Sequence, residues 1–300
     1  MHLSKTARWT GRICALLFGV AACAQIPSAE WVAANDLYQR TEYQASLAVL
    51  LKAKTPDSAV QQLIGQNYYR LADYKKATES LERAFVLNPG NSECALWLGR
   101  AFGRRAETSS PFSAPHFAGK ARQLLEKAVE LDPTNREAIG DLFDYYLGAP
   151  GFLGGGEAKA HELAAKIAPR DPDEGHYYEA LLADRHQQYD SAEQHLRAAV
   201  SSSLSTAQHT AQHKVGHLLD LAKFLARRGR SNESDTLFEE ALRLSPMDPR
   251  ILFTRAQTYV QQGRNLETAR KLLEQYLRSP LTPNDPPRQE AEALLKKAGA

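Results

Sequence analysis

The stretch Asn67–Pro89, NYYRLADYKKATESLERAFVLNP, decides the fold, because its spacing returns further along the chain. Together with the preceding glycine it sets Gly65, Tyr68, Ala77, Leu81, Ala84 and Pro89 in order. Gly99, Phe102, Ala121, Leu125, Ala128 and Pro133 repeat that order, and Gly65 and Gly99 stand thirty-four residues apart. A small residue followed one turn later by an aromatic marks a first helix that another helix approaches closely. Ala, Leu and Ala at steps of four and three line one stripe of a second helix, which Pro then ends. Two helices this short cannot bury their apolar faces alone. Copies must stack on one another, and a period in the mid-thirties is that of helix-turn-helix repeats.

Outward from this core the pattern continues. Ala222, Leu225, Phe238, Ala241 and Pro246 keep the intervals, and Ala256, Tyr259, Ala269, Leu273 and Tyr276 follow with one extra residue after Gly263. Ala180, Ala183, Tyr189, Ala192, Leu196 and Ala199 form a copy without the closing Pro, and Ala34, Leu37, Tyr43, Ser46, Leu50 and Ala53 a weaker first copy. Two copies carry insertions between their helices. GRRAETSSPFSAPHFAGK after Phe102 lengthens one connection, and its Ser and Pro content reads as a loop. LGAPGFLGGGEAK after Tyr146 interrupts the other, and Ala164, Ile167 and Pro172 restore the pattern beyond it. Insertions of this kind fall on one edge of a solenoid, often where its partner touches.

The spacing resembles that of the tetratricopeptide repeat family over nearly all the chain beyond its amino-terminal segment. The resemblance implies an all-α fold: a right-handed α-α superhelical solenoid of about seven repeats over residues 30–300. SPLTPNDPP, Ser279–Pro287, stops the last repeat, and Arg288–Lys297 (RQEAEALLKK) reads as a polar-backed terminal capping helix.

The first residues read as an export signal over 1–24. Lys5, Arg8 and Arg12 make a basic start, Ile13–Ala22 an apolar run too short to span a bilayer, and Ala22-Cys23-Ala24 a small-residue cleavage site. Removing it turns the formal charge of +2 into about −1. The expected location is therefore the periplasm. Val20-Ala21-Ala22-Cys23 also resembles a bacterial lipobox, in which Cys23 would be acylated and the protein held at the outer membrane. Either cut leaves Cys94 as the only thiol away from the mature amino terminus; beside Ala95 it reads as a small buried hydrophobe. Near-balanced charge offers no field for nucleic acid, and membrane contact follows only if Cys23 is lipidated.

Chemistry-bearing patterns are few. His209, His213 and His217 share one helix face and are the one metal candidate, although no HExxH or CxxC accompanies them. Gly148–Gly156 (GAPGFLGGG) could offer backbone N–H groups to an anion, but it lacks the Lys and Ser or Thr of a phosphate loop; Phe152 and Leu153 read as a hydrophobic tip tucked over the next repeat. Asp171, Asp173 and Glu174 flank Pro172, where turns and helix caps take acids. No GxSxG is present, so no catalytic residue, enzyme activity or cofactor is expected.

The family resemblance places the first helices along a concave groove. Carried onto this chain, the lining positions are Trp31, Asn35, Tyr38, Gln66, Tyr69, Arg70, Arg100 and Arg104, with Tyr177, Leu181, Leu219, Phe253 and Val260 as a greasier carboxyl half. Aromatic, amide and Arg side chains suit an extended peptide, whose carboxylates need forked donors. The Lys and Asn of family members that clamp a terminal carboxylate are represented only by Asn35. The expected function is a non-enzymatic exported scaffold that binds a protein or peptide at the bacterial cell envelope. The alternatives are an outer-membrane lipoprotein subunit of an envelope transport or assembly complex, acylated at Cys23, and a metal-binding protein using the His run.

Overall fold

A computed structural model describes residues 29–54, 56–202 and 210–299. The expected signal over 1–24, Cys23 and His209 lie outside the described residues. Among the described residues every regular element is helical, and fourteen helices fall into seven pairs: α1 (Ala29–Gln39) with α2 (Tyr43–Leu50), α3 (Ser58–Arg70) with α4 (Tyr74–Leu87), α5 (Ser92–Thr108) with α6 (Ala114–Leu131), α7 (Arg136–Gly148) with α8 (Glu157–Ile167), α9 (Pro172–Arg185) with α10 (Tyr189–Ser202), α11 (Thr210–Arg227) with α12 (Ser231–Leu244), and α13 (Pro249–Gln262) with α14 (Leu266–Arg278). A fifteenth, α15 (Arg288–Ala298), packs on α13 and α14 and closes the stack. Each helix packs on its own partner and then on the next pair, so the protein is an all-α superhelical repeat stack whose core is a ribbon.

The turns show why the spacing recurs. Asp57, Asn91 and Asn135 each cap the following first helix by accepting the backbone N–H three residues on. In five of the seven pairs the first helix ends on one left-handed residue: Thr41, Ala72, Gln187, Gly229 and Gly263 all have positive φ. Behind each stands the same couple of hydrogen bonds, as in Ala72 N–H to Tyr69 O at 3.0 Å and Asp73 N–H to Tyr68 O at 2.9 Å. This is the Schellman closure of a helix end, and it sets the angle at which the second helix folds back. Three of the five residues are not glycine, so sequence reading for Gly misses them.

The recurring small residue does what its position demands. A Cβ on Gly65 would collide with Leu81 Cγ and stand 3.0 Å from Leu81 Cδ2, and Leu81 is wholly buried in a core that leaves it nowhere to go. Gly99 faces Leu125 in the same way, with 3.1 Å to both Cγ and Cδ2. Cys94, buried on α5 against the Leu81 carbonyl, behaves as the small hydrophobe expected, its thiol pushed up to about 12 by burial and then by Glu93.

Both insertions differ from their sequence reading. The residues after Phe102 do not form a loop: α5 runs 17 residues and α6 18, against 13 and 14 for α3 and α4, and only Ser109–Ser113 turns between them. Extra residues that keep an apolar face, here Phe117 stacked on Phe102 at 6.0 Å, extend helices in preference to leaving backbone unpaired. In the glycine run the three successive glycine donors are already spent. Gly154 N–H bonds Gly151 O at 2.9 Å, Gly155 N–H bonds Pro150 O at 3.3 Å, and Gly156 N–H bonds Tyr146 O at 2.8 Å, which leaves none of these three for an anion. Gly155 is required because a Cβ there would collide with the Ala149 carbonyl. Phe152 is not tucked away but 83% exposed, while Leu153 is half-buried.

Asp171, Asp173 and Glu174 do not act as caps. Asp171 stands at the start of α9 without a side-chain cap bond. All three turn to Arg136 of α7, at 2.6 Å (Asp171), 3.3 Å (Asp173) and 3.3 Å (Glu174), and Asp173 Oδ2 also lies 3.4 Å from His217 Nε2 of α11. One charged knot thus ties three first helices. Burial and the neighbouring Asp173 push the Asp171 carboxyl up to about 6; burial opposes the Asp173 charge too, but hydrogen bonds from His217 and Asp171 and the Arg136 charge hold it well below the usual range.

Two outcomes follow. Gly65→Ala should lower the thermal midpoint, at a cost of about 1–3 kcal/mol for overpacking. Gly103→Ala, where an added Cβ meets nothing within 4 Å, should be neutral or stabilising by up to about 1 kcal/mol through helix propensity. Circular dichroism melts compare them directly, and equal effects would mean that Gly65 is not a close-approach position. Because the folded Asp171 value is raised, its contribution to stability is present below the unfolded value and is lost as pH rises through about 6. Asp171→Asn removes that loss, so the variant's midpoint relative to the parent should be higher at about pH 7.5 than at about pH 4.5. A difference that stays flat or narrows over that interval would contradict the assignment.

Candidate functional site

The inner face is built by the odd-numbered helices. Trp31, Asn35 and Tyr38 lie on α1, Gln66, Tyr69 and Arg70 on α3, and Arg100 and Arg104 on α5. Tyr69, Arg70 and Arg100 meet at Trp97, a buried residue the groove expectation omitted. The Arg70 and Arg100 guanidinium carbons lie 5.2 and 5.0 Å from its ring centroid, and Tyr69 meets it edge-on at 5.4 Å. Glu93 holds the indole in place by accepting its N–H at 2.7 Å. Glu93, Trp97, Arg100 and Arg104 follow at steps of four, three and four along one helix face, the signal that could have found the tryptophan.

Two of the three groove arginines are already paired. Arg100 bonds Asp141 through Nε and reaches Glu137 at 3.0 Å, both on α7. Burial opposes its charge, but the two carboxylates more than offset that and hold the guanidinium above its already high ordinary range. Arg104 pairs with Glu107 and donates to the Tyr74 hydroxyl at 3.3 Å. Arg70 alone of the three has no carboxylate within ion-pair distance among the described residues. Its neighbour is the hydroxyl of Tyr38, a residue only 5% exposed.

Beyond α5 the face turns acidic. Asp144 of α7 is open to solvent yet walled in by protein, and burial followed by the Asp141 charge raises its carboxyl above the ordinary range. The phenol of Tyr177 on α9 is raised by burial and by Asp220, Asp144 and Glu174, which come from three different inner helices. The greasy carboxyl half is less available than expected: Leu219 and Phe253 are core residues, while Leu181 and Val260 are half-buried. Of the His run, His217 is buried between Asp173 and the Tyr177 ring, 5.7 Å away, and His213 is half-buried. Among the described residues no group of three His, Cys, Asp or Glu could hold a metal ion, and no helix is long and apolar enough to cross a membrane.

Comparison with known proteins agrees with this architecture. Tetratricopeptide repeat models match residues 58–91, which cover α3 and α4, and residues 219–298, from within α11 through α15. No curated protein matches the chain significantly. A tetratricopeptide repeat protein from Parabacteroides merdae is similar in structure with a TM-score of 0.53 at 14% identity, over 90% of this chain and 98% of that one. The human IFIT1 dimer with PPP-AAAA is similar with a TM-score of 0.53 at 18% identity, over 83% of this chain and 54% of that one. This chain therefore spans about half the length of IFIT1, and at such identities the likeness is one of fold. With two matching segments and a stack of seven helix pairs between and around them, the chain belongs to the tetratricopeptide repeat family.

Proposed function

We propose that the protein is a non-enzymatic interaction scaffold that binds a peptide or protein segment along the inner face of α1, α3, α5 and α7. The observation that carries this is the cluster on Trp97, an indole only 5% exposed, which holds Tyr69 and the Arg70 and Arg100 guanidiniums on the inner face that Asn35 and Gln66 share. Rigid aromatic area with forked donors and amides at its rim suits an extended chain, whose backbone needs hydrogen bonds at every residue. IFIT1 carries PPP-AAAA in a related fold. Here Arg100 and Arg104 are answered by Asp141, Glu137 and Glu107, so a phosphate backbone would meet carboxylates beside every such cation. The alternation of Arg70, Arg100, Asp141 and Asp144 favours a segment with charges of both signs.

The leader reading belongs to the same proposal. Cleavage near residue 24 would deliver the protein to the periplasm, where its partner would be a component of the cell envelope. The lipobox Val20–Cys23 supports the second reading, acylation at Cys23 and an outer-membrane assembly. Intact mass of the mature protein separates them, since acylation adds lipid to the first residue.

A photo-reactive residue placed at Gln66, on the inner face, should cross-link the envelope partner, whereas one at Val86, 80% exposed on α4, should not. Competition by Trp97→Ala or Asn35→Ala, each retaining its helical signal, should weaken the yield from position 66. Cross-links formed from position 86 alone would move the binding surface to the outer helices.

A further inference from the structure

The first and last units of the stack face each other. Between them lies a cleft of about 480 Å³, walled on one side by Tyr43, Gln44 and Arg70 and on the other by Thr282, Asp285 and Arg288. That volume falls in the range of small-ligand clefts, about 300–1,000 Å³, room for the end of a chain or one side chain with its flanks.

Most of the charges in the cleft are already engaged. Glu42 is 3.5 Å from Arg40. Asp285 accepts from the Thr282 backbone N–H at 2.8 Å and from its hydroxyl at 2.9 Å. Arg288 donates to the Leu277 carbonyl at 2.6 Å. Arg70 is left over. No carboxylate pairs with it among the described residues, and its Nε is buried without an acceptor; its polar neighbour is the Tyr38 hydroxyl. A buried N–H without an acceptor is costly, the more so on a charged group, and Arg70 lines the cleft. Tyr43 stands against the same site, with its ring 5.5 Å from that of Tyr38.

We propose that the cleft between the two ends of the stack binds a peptide carboxylate, with the Arg70 guanidinium as its anchor and the Tyr43 hydroxyl as a further donor. A planar two-oxygen acceptor matches the guanidinium edge. Asp285 and Glu42 oppose a second negative charge, which favours a carboxylate over a phosphate dianion. Leu71, Leu281 and Pro286 supply apolar wall for the residue that carries it. Burial first of all keeps the Tyr43 phenol protonated as a donor. The inference shares Arg70 with the groove reading but does not depend on it, because Tyr43 and the residues of 281–289 lie outside that groove.

Calorimetric titration of the full chain tests this with four probes: N-acetyl-Ala-Leu-Ala with a free carboxylate, the same peptide as its amide, N-acetyl-Ala-Glu-Ala amide, and inorganic phosphate. At least one carboxylate peptide should bind about tenfold or more tightly than the Ala-Leu-Ala amide, and which of the two does so separates a chain terminus from an acidic side chain. Arg70→Gln should remove that advantage, and Tyr43→Phe, which deletes one hydroxyl without touching the groove, should reduce it several-fold while cross-linking from position 66 persists. Equal binding of acid and amide, full binding in Arg70→Gln, or phosphate binding tighter than either peptide would overturn the proposal.

Discussion

A pair of helices of 8 to 18 residues has apolar surface on both sides and covers only one of them by itself, and every other feature of this protein answers that constraint. Close approach is the first answer. Gly65 and Gly99 bring their helices onto Leu81 and Leu125 with no room for a methyl group at Gly65, and the wholly buried Ala77, Ala84, Ala121 and Ala128 do the same from the second helices. Stacking is the second, and it makes each unit's stability a property of its neighbours. α15, charged outside and with Ala291 buried inside, ends the ribbon at one side.

The polar face follows the same neighbour-to-neighbour rule. Arg100 of α5 is answered by Glu137 and Asp141 of α7, Arg136 of α7 by Asp173 and Glu174 of α9, and Arg227 of α11 by Asp184 of α9. From α5 to α11, neighbouring inner helices thus supply one another's counter-charges. Partly exposed pairs of this sort add little stability; their main effect is to cancel the charge of the inner face locally. The rule fails at Arg70. The next inner helix presents Trp97 and another arginine where a carboxylate would be needed, and the guanidinium is left with an aromatic face and an open cleft.

The fold was legible in the sequence because packing positions are chosen by size, and size recurs at fixed intervals: Gly, aromatic, Ala, Leu, Ala. The last helix was legible for the same reason. The insertion after Phe102 misled because Ser and Pro were read as a loop, while Phe117 and Ala121 kept the helical stripe that continues α6. The left-handed turn at Ala72 and Gln187 carries no compositional mark. The inner-face positions were identified as a set, but their charges were not. Which carboxylate reaches Arg100 depends on the neighbouring helix forty-one residues away, Asp141, and spacing within one repeat says nothing about it. The cleft joins residues near 43 to residues near 285, and only the curvature of the whole stack brings them together.

That curvature can be read as one distance. Spin labels at Gln44 and Gln289, on opposite walls of the cleft, should give a single narrow distribution at short range in the free protein, narrowing further with a carboxylate peptide bound. A long and broad distribution, as an open superhelix with separated ends would give, would contradict a stack that returns upon itself.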